Sequence, residues 1–272
     1  MAVVALAGGL GAPGVTTSAM ALLLAWEMPA GHRVLLAEAD PDGGSVLPGA
    51  LQGTLDNARG LRNLAVASRQ GQLTDAFWRQ LVDITDVGSR DRLLLPGLYD
   101  PAHASAMEPV WRPLARLFVG IEEHGHDVIV DLGRRGAFGP SAVLAQKADV
   151  VLIVARGTLR SLQSAQVRVE ALREAVGGTT ELAVLLVDDG PFSKEEVRKH
   201  LGIPVVAVLP CRPKEAAVLS DGAPPPRRFE SGELMRSARS AAVRIQELVA
   251  IRRSRLALPH SGPGSAAVTG AR

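Results

Sequence analysis

Long apolar runs, cysteine and aromatic residues are all scarce in this chain of 272 residues. No stretch approaches the roughly 18 consecutive apolar residues of a transmembrane helix, so the sequence contains no candidate for a membrane span. The first residues lack the basic start and the cleavage site of a secretion signal, and we therefore expect a cytoplasmic protein. The single cysteine, Cys211, cannot form an internal disulfide, which agrees with a reducing compartment.

A strong excess of charge is also missing. The 30 basic and 28 acidic residues give a net charge of +2, so the overall charge does not indicate nucleic-acid binding, and any basic surface must be local. The hydrophobic content of 47% is ample for a buried core. These quantities predict a globular protein of one large domain or two small ones.

Short apolar runs recur along the chain, with helical patterns between them. Runs of this length that are rich in Val, Leu and Ile are typical of strands buried on both faces of a parallel sheet. The alternation predicts an α/β fold with a doubly wound, mostly parallel sheet flanked by helices. The predicted strands are residues 3–7, 34–37, 128–130, 150–155, 182–187 and 205–209, and the predicted crossover helices are residues 16–26, 141–147, 161–175 and 193–201.

Residues 50–120 separate the second predicted strand from the third. They predict helices over 61–69, 75–82 and 109–122 and a strand over 92–95, and no linker sets them apart. We therefore interpret them as an elaboration within a single domain of residues 1–258. Residues 259–272 are rich in Gly, Ser and Ala, which predicts a disordered tail.

Residues 8–17 have the outline of a phosphate-binding loop without its lysine. In the pattern G-x-x-x-x-G-K-[ST], glycines let backbone N–H groups wrap the phosphates, the lysine reaches the terminal phosphates and the hydroxyl holds Mg²⁺. Gly9, Gly14 and Thr16 are correctly spaced, but Val15 occupies the lysine position. The loop follows a predicted strand and opens a predicted helix, and this context favours a phosphate site over an incidental turn.

Carboxylates follow two other predicted strands. Asp40 lies in the segment Glu38-Ala39-Asp40-Pro41-Asp42-Gly43, at the edge where open α/β sheets bind ligands. Asp131 ends the strand 128–130 in a Walker B arrangement, in which an aspartate holds Mg²⁺ directly or through water. The plainer alternative is that both residues cap turns. Arg134 and Arg135, which follow Asp131, are either ordinary solvated residues or include a substitute for the missing lysine.

The order of these motifs resembles the ParA/MinD family of P-loop ATPases, whose deviant Walker A loop reads K-G-G-x-G-K-[ST]-[ST]. The resemblance covers about residues 2–250. The segments that carry it are residues 10–17, 38–43, 95–97, 131, 148–154 and 208–210.

The resemblance implies a P-loop NTPase fold with ATP and Mg²⁺ as cofactors. It assigns Mg²⁺ to Thr16 and Asp131, and it assigns the orientation of the attacking water to Asp40. The residues it implies for nucleotide binding are Gly9, Gly11, Pro13, Gly14, Val15, Thr16, Thr17 and Pro210.

Three departures from the family pattern weaken the expected chemistry. The two loop lysines of the family, one for the nucleotide and one that reaches across a dimer, are replaced by Val15 and Leu10. Asp188 and Asp189 occupy the place of an asparagine that reads adenine. One charge about 4 Å from a phosphate oxygen contributes roughly 4 kcal/mol at an effective dielectric of 20, before desolvation. We therefore expect at best weak ATP binding and very slow hydrolysis.

Two functions follow from these expectations. The first is a ParA/MinD-like protein for spatial positioning or partitioning, which acts through a partner that the sequence does not identify. The alternative is a non-catalytic scaffold of the TadZ/CpaE type, which localises a pilus or secretion assembly without nucleotide. A homodimer is implied by the resemblance alone.

The C-terminal segment 232–256 predicts an amphipathic helix. Its apolar residues are followed, near the end of the segment, by Arg252, Arg253 and Arg255. Its apolar face is small and lacks aromatic residues, which favours packing on the domain core over peripheral contact with a membrane. The arginines are placed to interact favourably with the helix dipole.

Overall fold

The computed structural model describes residues 2–9, 14–55, 58–85 and 88–257. Its strands are β1 (Val3–Gly8), β2 (Arg33–Glu38), β3 (Val82–Asp83), β4 (Arg92–Leu95), β5 (His126–Asp131), β6 (Val150–Arg156), β7 (Glu181–Asp188) and β8 (Val205–Pro210). In this part of the chain they form one eight-stranded sheet with the order β3-β4-β2-β5-β1-β6-β7-β8. Every pairing is parallel except that of β3 with β4.

Helices cover both faces of this sheet. They are α1 (Val15–Ala25), α2 (Leu61–Arg69), α3 (Leu73–Gln80), α4 (Glu108–Gly120), α5 (Ala142–Lys147), α6 (Leu159–Val176), α7 (Lys194–Leu201), α8 (Pro213–Asp221) and α9 (Glu233–Ala257). The buried residues of α2 to α7 belong to one apolar cluster, and those of α1, α8 and α9 belong to a second cluster on the opposite face. The central strands are therefore buried on both sides, which explains their continuous apolar sequences.

The structure confirms the predicted fold class. Each predicted strand lies within an observed one, and helices α1, α5, α6 and α7 begin and end within two residues of their predicted bounds. The capping box at the start of α7 is also present, since Ser193 Oγ accepts from the Glu196 N–H and the Glu196 carboxylate accepts from the Ser193 N–H.

The sequence prediction was wrong or silent at three places. Val82 was assigned to a helix but belongs to β3, where it pairs with Leu94. β3 itself was missed because a strand of two residues is too short for a periodic pattern to show. Helix α8, which begins at Pro213, was also missed because only Leu219 of it is buried, so it has no apolar stripe.

Helix α9 packs on the core, as its composition predicted. Its buried residues join the cluster that lies over β8 and α1. Near its end, Arg252 Nη1 lies 2.6 Å from Asp149 Oδ1, and Arg253 Nε lies 2.9 Å from the same oxygen. These arginines therefore bind a buried carboxylate beside β6 as well as lying in the last turns of the helix. The buried residues are Leu234, Met235, Ala238, Ala241, Ala242, Ile245 and Val249.

None of the helices in the described ranges combines the length and the apolar character that a membrane crossing needs. The segment 50–120 contributes β3 and β4 to the common sheet. The division into one domain over residues 1–258 and a tail over 259–272 stays a prediction, and the tail lies outside the described residues.

The packing of α9 predicts different effects for its two isoleucines. Ile245 is fully buried and Ile251 is half exposed, so Ile245→Ala should lower the free energy of unfolding by about 3 kcal/mol through lost burial and a cavity. Ile251→Ala, the matched control, should change it by less than about 1 kcal/mol. Urea denaturation of both variants measures this difference, and equal effects would show that α9 does not pack on the domain in solution.

Candidate functional site

The loop after β1 leads directly into helix α1. Gly9 is buried against Ser164 of α6, and Gly14 precedes the helix with a φ of 110°, in the left-handed region. Leu10, Gly11 and Pro13 lie outside the described residues, so the predictions that concern them remain predictions. Gly14 nevertheless places the first N–H groups of α1 at the carboxyl edge of the sheet, where they attract anions.

Val15 does not replace a lysine in any chemical sense. It is 5% exposed and belongs to the apolar cluster beneath α1, together with Leu6 of β1. A side chain packed in this way provides no charge and no hydrogen bond. The position that the loop pattern reserves for a cation is therefore used here for the core.

Thr16 and Asp131, the two predicted metal ligands, are in direct contact. β1 pairs with β5 so that Leu6 is opposite Asp131, and the first turn of α1 lies beside this strand end. The Thr16 side chain lies close enough to the Asp131 carboxylate that hydrogen bonding between them lowers the pKa of Asp131. The Gly133 N–H donates to Asp131 Oδ1 at 2.8 Å. The carboxylate therefore both caps the turn, as the plainer alternative held, and bonds the hydroxyl of the loop.

Burial raises the pKa of Asp131 to about 7, against 3.8 for an unperturbed aspartate. The hydrogen bonds from Thr16 and Gly133 oppose this shift, and the charges of Glu38 and Asp40 add to it. Burial therefore disfavours the ionised form of this carboxylate, and a positive charge nearby would favour it.

Asp40 lies at the same edge, at the end of β2. Its Oδ1 accepts from the Asp42 N–H and its Oδ2 from the Arg134 N–H, both at 3.0 Å. Burial raises the pKa of Asp40, and these two hydrogen bonds lower it. A Cβ at Gly133 would lie 1.6 Å from Asp40 Oδ2, and the backbone φ of Gly133 is +52°. Only glycine therefore allows the Asp40 carboxylate to approach this turn.

Glu38, the first acid of the predicted 38–43 segment, has a structural role. Its carboxylate accepts from the N–H groups of Ser45, Val46 and Gly97, at 2.6, 3.0 and 3.2 Å. Burial raises the pKa of Glu38, and these three bonds lower it. The side chain joins the loops that follow β2 and β4, and it is not among the residues that line the main cavity of the site.

The two arginines after Asp131 differ in position. Arg134 lines the main cavity of the site, whereas Arg135 is not among the lining residues. Arg135 Nη1 lies 3.4 Å from Asp42 Oδ1, and Arg134 Nη2 lies 3.8 Å from Asp42 Oδ2. Of the two candidates for the missing charge, Arg134 is therefore the one that faces the site.

A cavity of ≈ 680 Å³ lies at this edge, and Thr16, Asp40 and Arg134 line it whereas Asp131 does not. It combines hydroxyls, backbone at the start of α1, two carboxylates and three arginines, and such a set is suited to an anion accompanied by a metal ion. Its described lining residues are Gly14, Val15, Thr16, Thr17, Asp40, Gly133, Arg134, Arg156, Thr158, Arg160 and Asp189.

A second cavity of ≈ 350 Å³ adjoins the first and shares Gly14, Thr17 and Arg156 with it. Pro210, the residue predicted to pack on adenine, lines this second cavity at the end of β8. Leu209 and Val187 give the same wall an apolar surface. The arrangement has room for a flat apolar group next to the anion-binding cavity.

Sequence reasoning missed Arg156, Thr158 and Arg160, and it noted Asp189 only at the place of an adenine-reading asparagine. Arg156 ends β6 and Asp189 follows β7, and Arg156 Nη1 donates to Asp189 Oδ2. Thr158 caps α6 and Arg160 lies in its first turn. Arg156 stands directly after the predicted strand 150–155, at the sheet edge where ligands bind, and this signal was available in the sequence.

The donor atoms present suit Mg²⁺. Among the described residues, no group of three or more His, Cys, Asp or Glu side chains could hold a metal. Thr16 and Asp131 provide two hard oxygen donors, and Mg²⁺ in phosphate sites commonly binds few protein ligands, with waters and phosphate oxygens completing its octahedron.

A parallel sheet with a glycine-opened helix at its carboxyl edge defines the class of P-loop NTPase folds. The sequence matches no protein-family model, and none of the curated proteins matches it. Solved structures match it over most of its length. The MinC:MinD cell division protein complex of Aquifex aeolicus is 20% identical, with a TM-score of 0.68 over 91% of this chain and 96% of that one.

Two further structures support the same assignment. The septum site-determining protein MinD of Pyrococcus horikoshii, complexed with Mg-ADP, is 17% identical, with a TM-score of 0.64 over 92% of this chain and 98% of that one. A ParA family ATPase from Chlorobium tepidum is 17% identical, with a TM-score of 0.63 over 89% and 97% of the two chains. The chain therefore has the fold of the ParA and MinD ATPases.

The buried charge of Asp131 predicts a pH-dependent gain in stability for Asp131→Asn. The folded-state pKa lies above that of the unfolded chain, so the cost of ionisation is absent below about pH 4 and complete above about pH 7. The variant should be about 2 kcal/mol more stable than the parent at pH 8 and equal to it near pH 4. Urea denaturation in the presence of a chelator measures both.

Asp127→Asn is the matched control, at the opposite end of β5. Asp127 accepts hydrogen bonds from Trp26 Nε1, at 2.8 Å, and from the Ala2 N–H, and an asparagine can satisfy only one of these donors. This variant should lose stability at both pH values. If Asp131→Asn were also less stable than the parent at pH 8, the Asp131 carboxylate would stabilise the fold as a turn cap, and its ionisation would not cost stability.

Proposed function

We propose that this chain is a ParA/MinD-like protein that binds Mg²⁺ and ATP weakly, hydrolyses ATP very slowly, and acts in spatial positioning or partitioning through a protein partner. The observation that supports this most directly is that Thr16, which lines the 680 Å³ cavity, lies close enough to the buried Asp131 carboxylate to lower its pKa. This pair would hold Mg²⁺, which when bound supplies positive charge to the phosphates.

Weak binding follows from what the cavity retains and what it lacks. The N–H groups at the start of α1 and the three arginines on the wall attract phosphate. The buried Val15 contributes no charge at the position nearest the phosphates in the loop pattern. Two of the arginines are partly neutralised, since Arg134 lies near Asp42 and Arg156 is paired with Asp189.

Slow hydrolysis has a separate reason. Catalysis of phosphoryl transfer consists mainly of positioning and charge stabilisation. Asp40, the residue proposed to orient water, is engaged by the N–H groups of Asp42 and Arg134. With no lysine at Val15, little positive charge is placed to stabilise the transition state.

The similar solved structures extend the proposal to partners. The MinD of Aquifex aeolicus was solved in a complex with MinC, and that of Pyrococcus horikoshii with Mg-ADP. We propose that this chain likewise responds to a nucleotide and contacts another protein, and that a homodimer is one of its states. A scaffold of the TadZ/CpaE type, without nucleotide, is the outcome to which a failure of binding would point.

Calorimetric titration with ATP tests the nucleotide site. The parent protein should bind ATP with a Kd of about 0.1 mM or weaker, and omission of Mg²⁺ should weaken binding further. Thr16→Ala should abolish this dependence on Mg²⁺, because it removes the hydroxyl ligand, and Thr16→Ser, the matched control, should retain it.

Two results would contradict the proposal. An absence of ATP and ADP binding to the parent protein at millimolar concentration would leave the scaffold function. Tight binding with rapid phosphate release that Thr16→Ala abolishes would show a competent ATPase instead.

The two arginines after Asp131 should differ in the same titration. Arg134 lines the cavity and Arg135 does not, so Arg134→Gln should weaken ATP binding by about three- to tenfold. Arg135→Gln makes the same charge change and should leave the affinity within about twofold of the parent. Equal losses in both variants would indicate a diffuse electrostatic effect, and the position of Arg134 would then be irrelevant.

A further inference from the structure

We propose that Arg156 is the phosphate-binding cation of the main cavity. In the absence of a ligand it forms an ion pair with Asp189, and the polyphosphate of a nucleotide displaces the Asp189 carboxylate. The inference rests on the proposed function, because it concerns the same cavity. It adds that Arg156, at the end of β6, takes the place of the missing lysine. It also adds that Asp189 competes with the phosphate for Arg156 and so determines the affinity for the ligand.

The sheet order places Arg156 across the loop from the Mg²⁺ pair. β1 lies between β5 and β6, so the end of β1 has the end of β5, with Asp131, on one side and the end of β6, with Arg156, on the other. Arg156 lines both cavities, as do Gly14 and Thr17. A phosphate at the N-terminus of α1 therefore lies between the Thr16 hydroxyl and the Arg156 guanidinium.

The hydrogen bonding of Arg156 is incomplete. Its Nη1 donates to Asp189, but its Nε is buried and has no hydrogen-bond partner among the described residues. A buried donor without a partner costs free energy, so the ion pair with Asp189 does not satisfy the guanidinium completely. The pair is also only partly covered, with 31% of the Arg156 side chain and 39% of the Asp189 side chain exposed. A ligand in the cavity can therefore reach the guanidinium.

The backbone around the pair is held in place. Ser161 Oγ, which is fully buried, accepts from the Arg156 N–H at 2.9 Å. The residues that follow each partner, Gly157 and Gly190, are in close contact, since a Cβ at Gly190 would lie 2.1 Å from the Gly157 carbonyl oxygen. Arg156 is thus pre-positioned, which lowers the entropic cost of binding a phosphate.

Asp189 gives the site a built-in competitor. A single carboxylate neutralises Arg156 when the cavity holds no anion, whereas a polyphosphate offers several charges and accepts bidentate hydrogen bonds from a guanidinium. Binding therefore exchanges one ion pair for a stronger one, and the difference between them determines the affinity. This competition explains how the cavity can contain Arg156 and still bind ATP weakly, as proposed above.

The test is calorimetric titration of the full chain with Mg²⁺-ATP and, separately, with inorganic tripolyphosphate. Arg156→Gln should weaken the binding of both ligands by about ten- to a hundredfold, and Arg156→Lys should recover part of the loss. Asp189→Asn should strengthen the binding of both by about three- to tenfold, because it removes the competitor. Arg116→Gln, the control, changes an exposed residue of α4 outside both cavities and should have no effect.

The outcomes separate this inference from the proposed function. If the parent protein binds ATP and neither Arg156→Gln nor Asp189→Asn alters the affinity, the inference is overturned and the proposed function stands. If tripolyphosphate binds in an Arg156-dependent way and ATP does not, the phosphate site is supported and the nucleotide is not its ligand. If neither ligand binds to the parent or to Asp189→Asn, both proposals fail. The gain expected for Asp189→Asn cannot arise from a variant that misfolds.

Discussion

The position of β1 between β5 and β6 is the constraint on which the site depends. Parallel strands end at one edge of a sheet, so this order brings Asp131 to one side of the end of β1 and Arg156 to the other. The same pairing buries all residues of β1 and β5, which makes the strands rigid supports. The site residues at the sheet edge are thus positioned by buried apolar strands that do not themselves line the cavity.

Two groups at this edge are kept in costly states. Burial raises the pKa of Asp131 to about 7, and the Nε of Arg156 is buried without a partner. Folded proteins seldom leave buried polar groups in such states, and those that do so often have a ligand that relieves the cost. A metal ion beside Asp131 and a phosphate beside Arg156 would relieve both at once, and this is the physical argument for a ligand in a cavity whose loop has lost its charge.

Much of the fold could be predicted because buried parallel strands are long apolar runs. The segments 150–155 and 182–187 are examples, and both lie within observed strands. Val82 could not be assigned, because its strand has two residues and its pairing with Leu94 is a tertiary contact. Thr16 and Asp131 could be selected as a pair because each follows a recognisable strand, and their role as metal ligands stays a prediction. Asp189 was noted only at the place of an adenine-reading asparagine, and its ion pair with Arg156 could not be predicted, since that partner is 33 residues away on a neighbouring strand.

The sequence by itself determined the layered α/β architecture, the loop that opens α1 and the loss of its lysine, because these depend on local patterns of residues. The tertiary structure alone decided that Val15 joins the core, that Arg134 and not Arg135 faces the cavity, and that Arg156 lines the same cavity. These facts follow from the order of the strands and from the direction of side chains at their ends. Neither is encoded at any single position, because both arise only when segments distant in the chain are packed side by side.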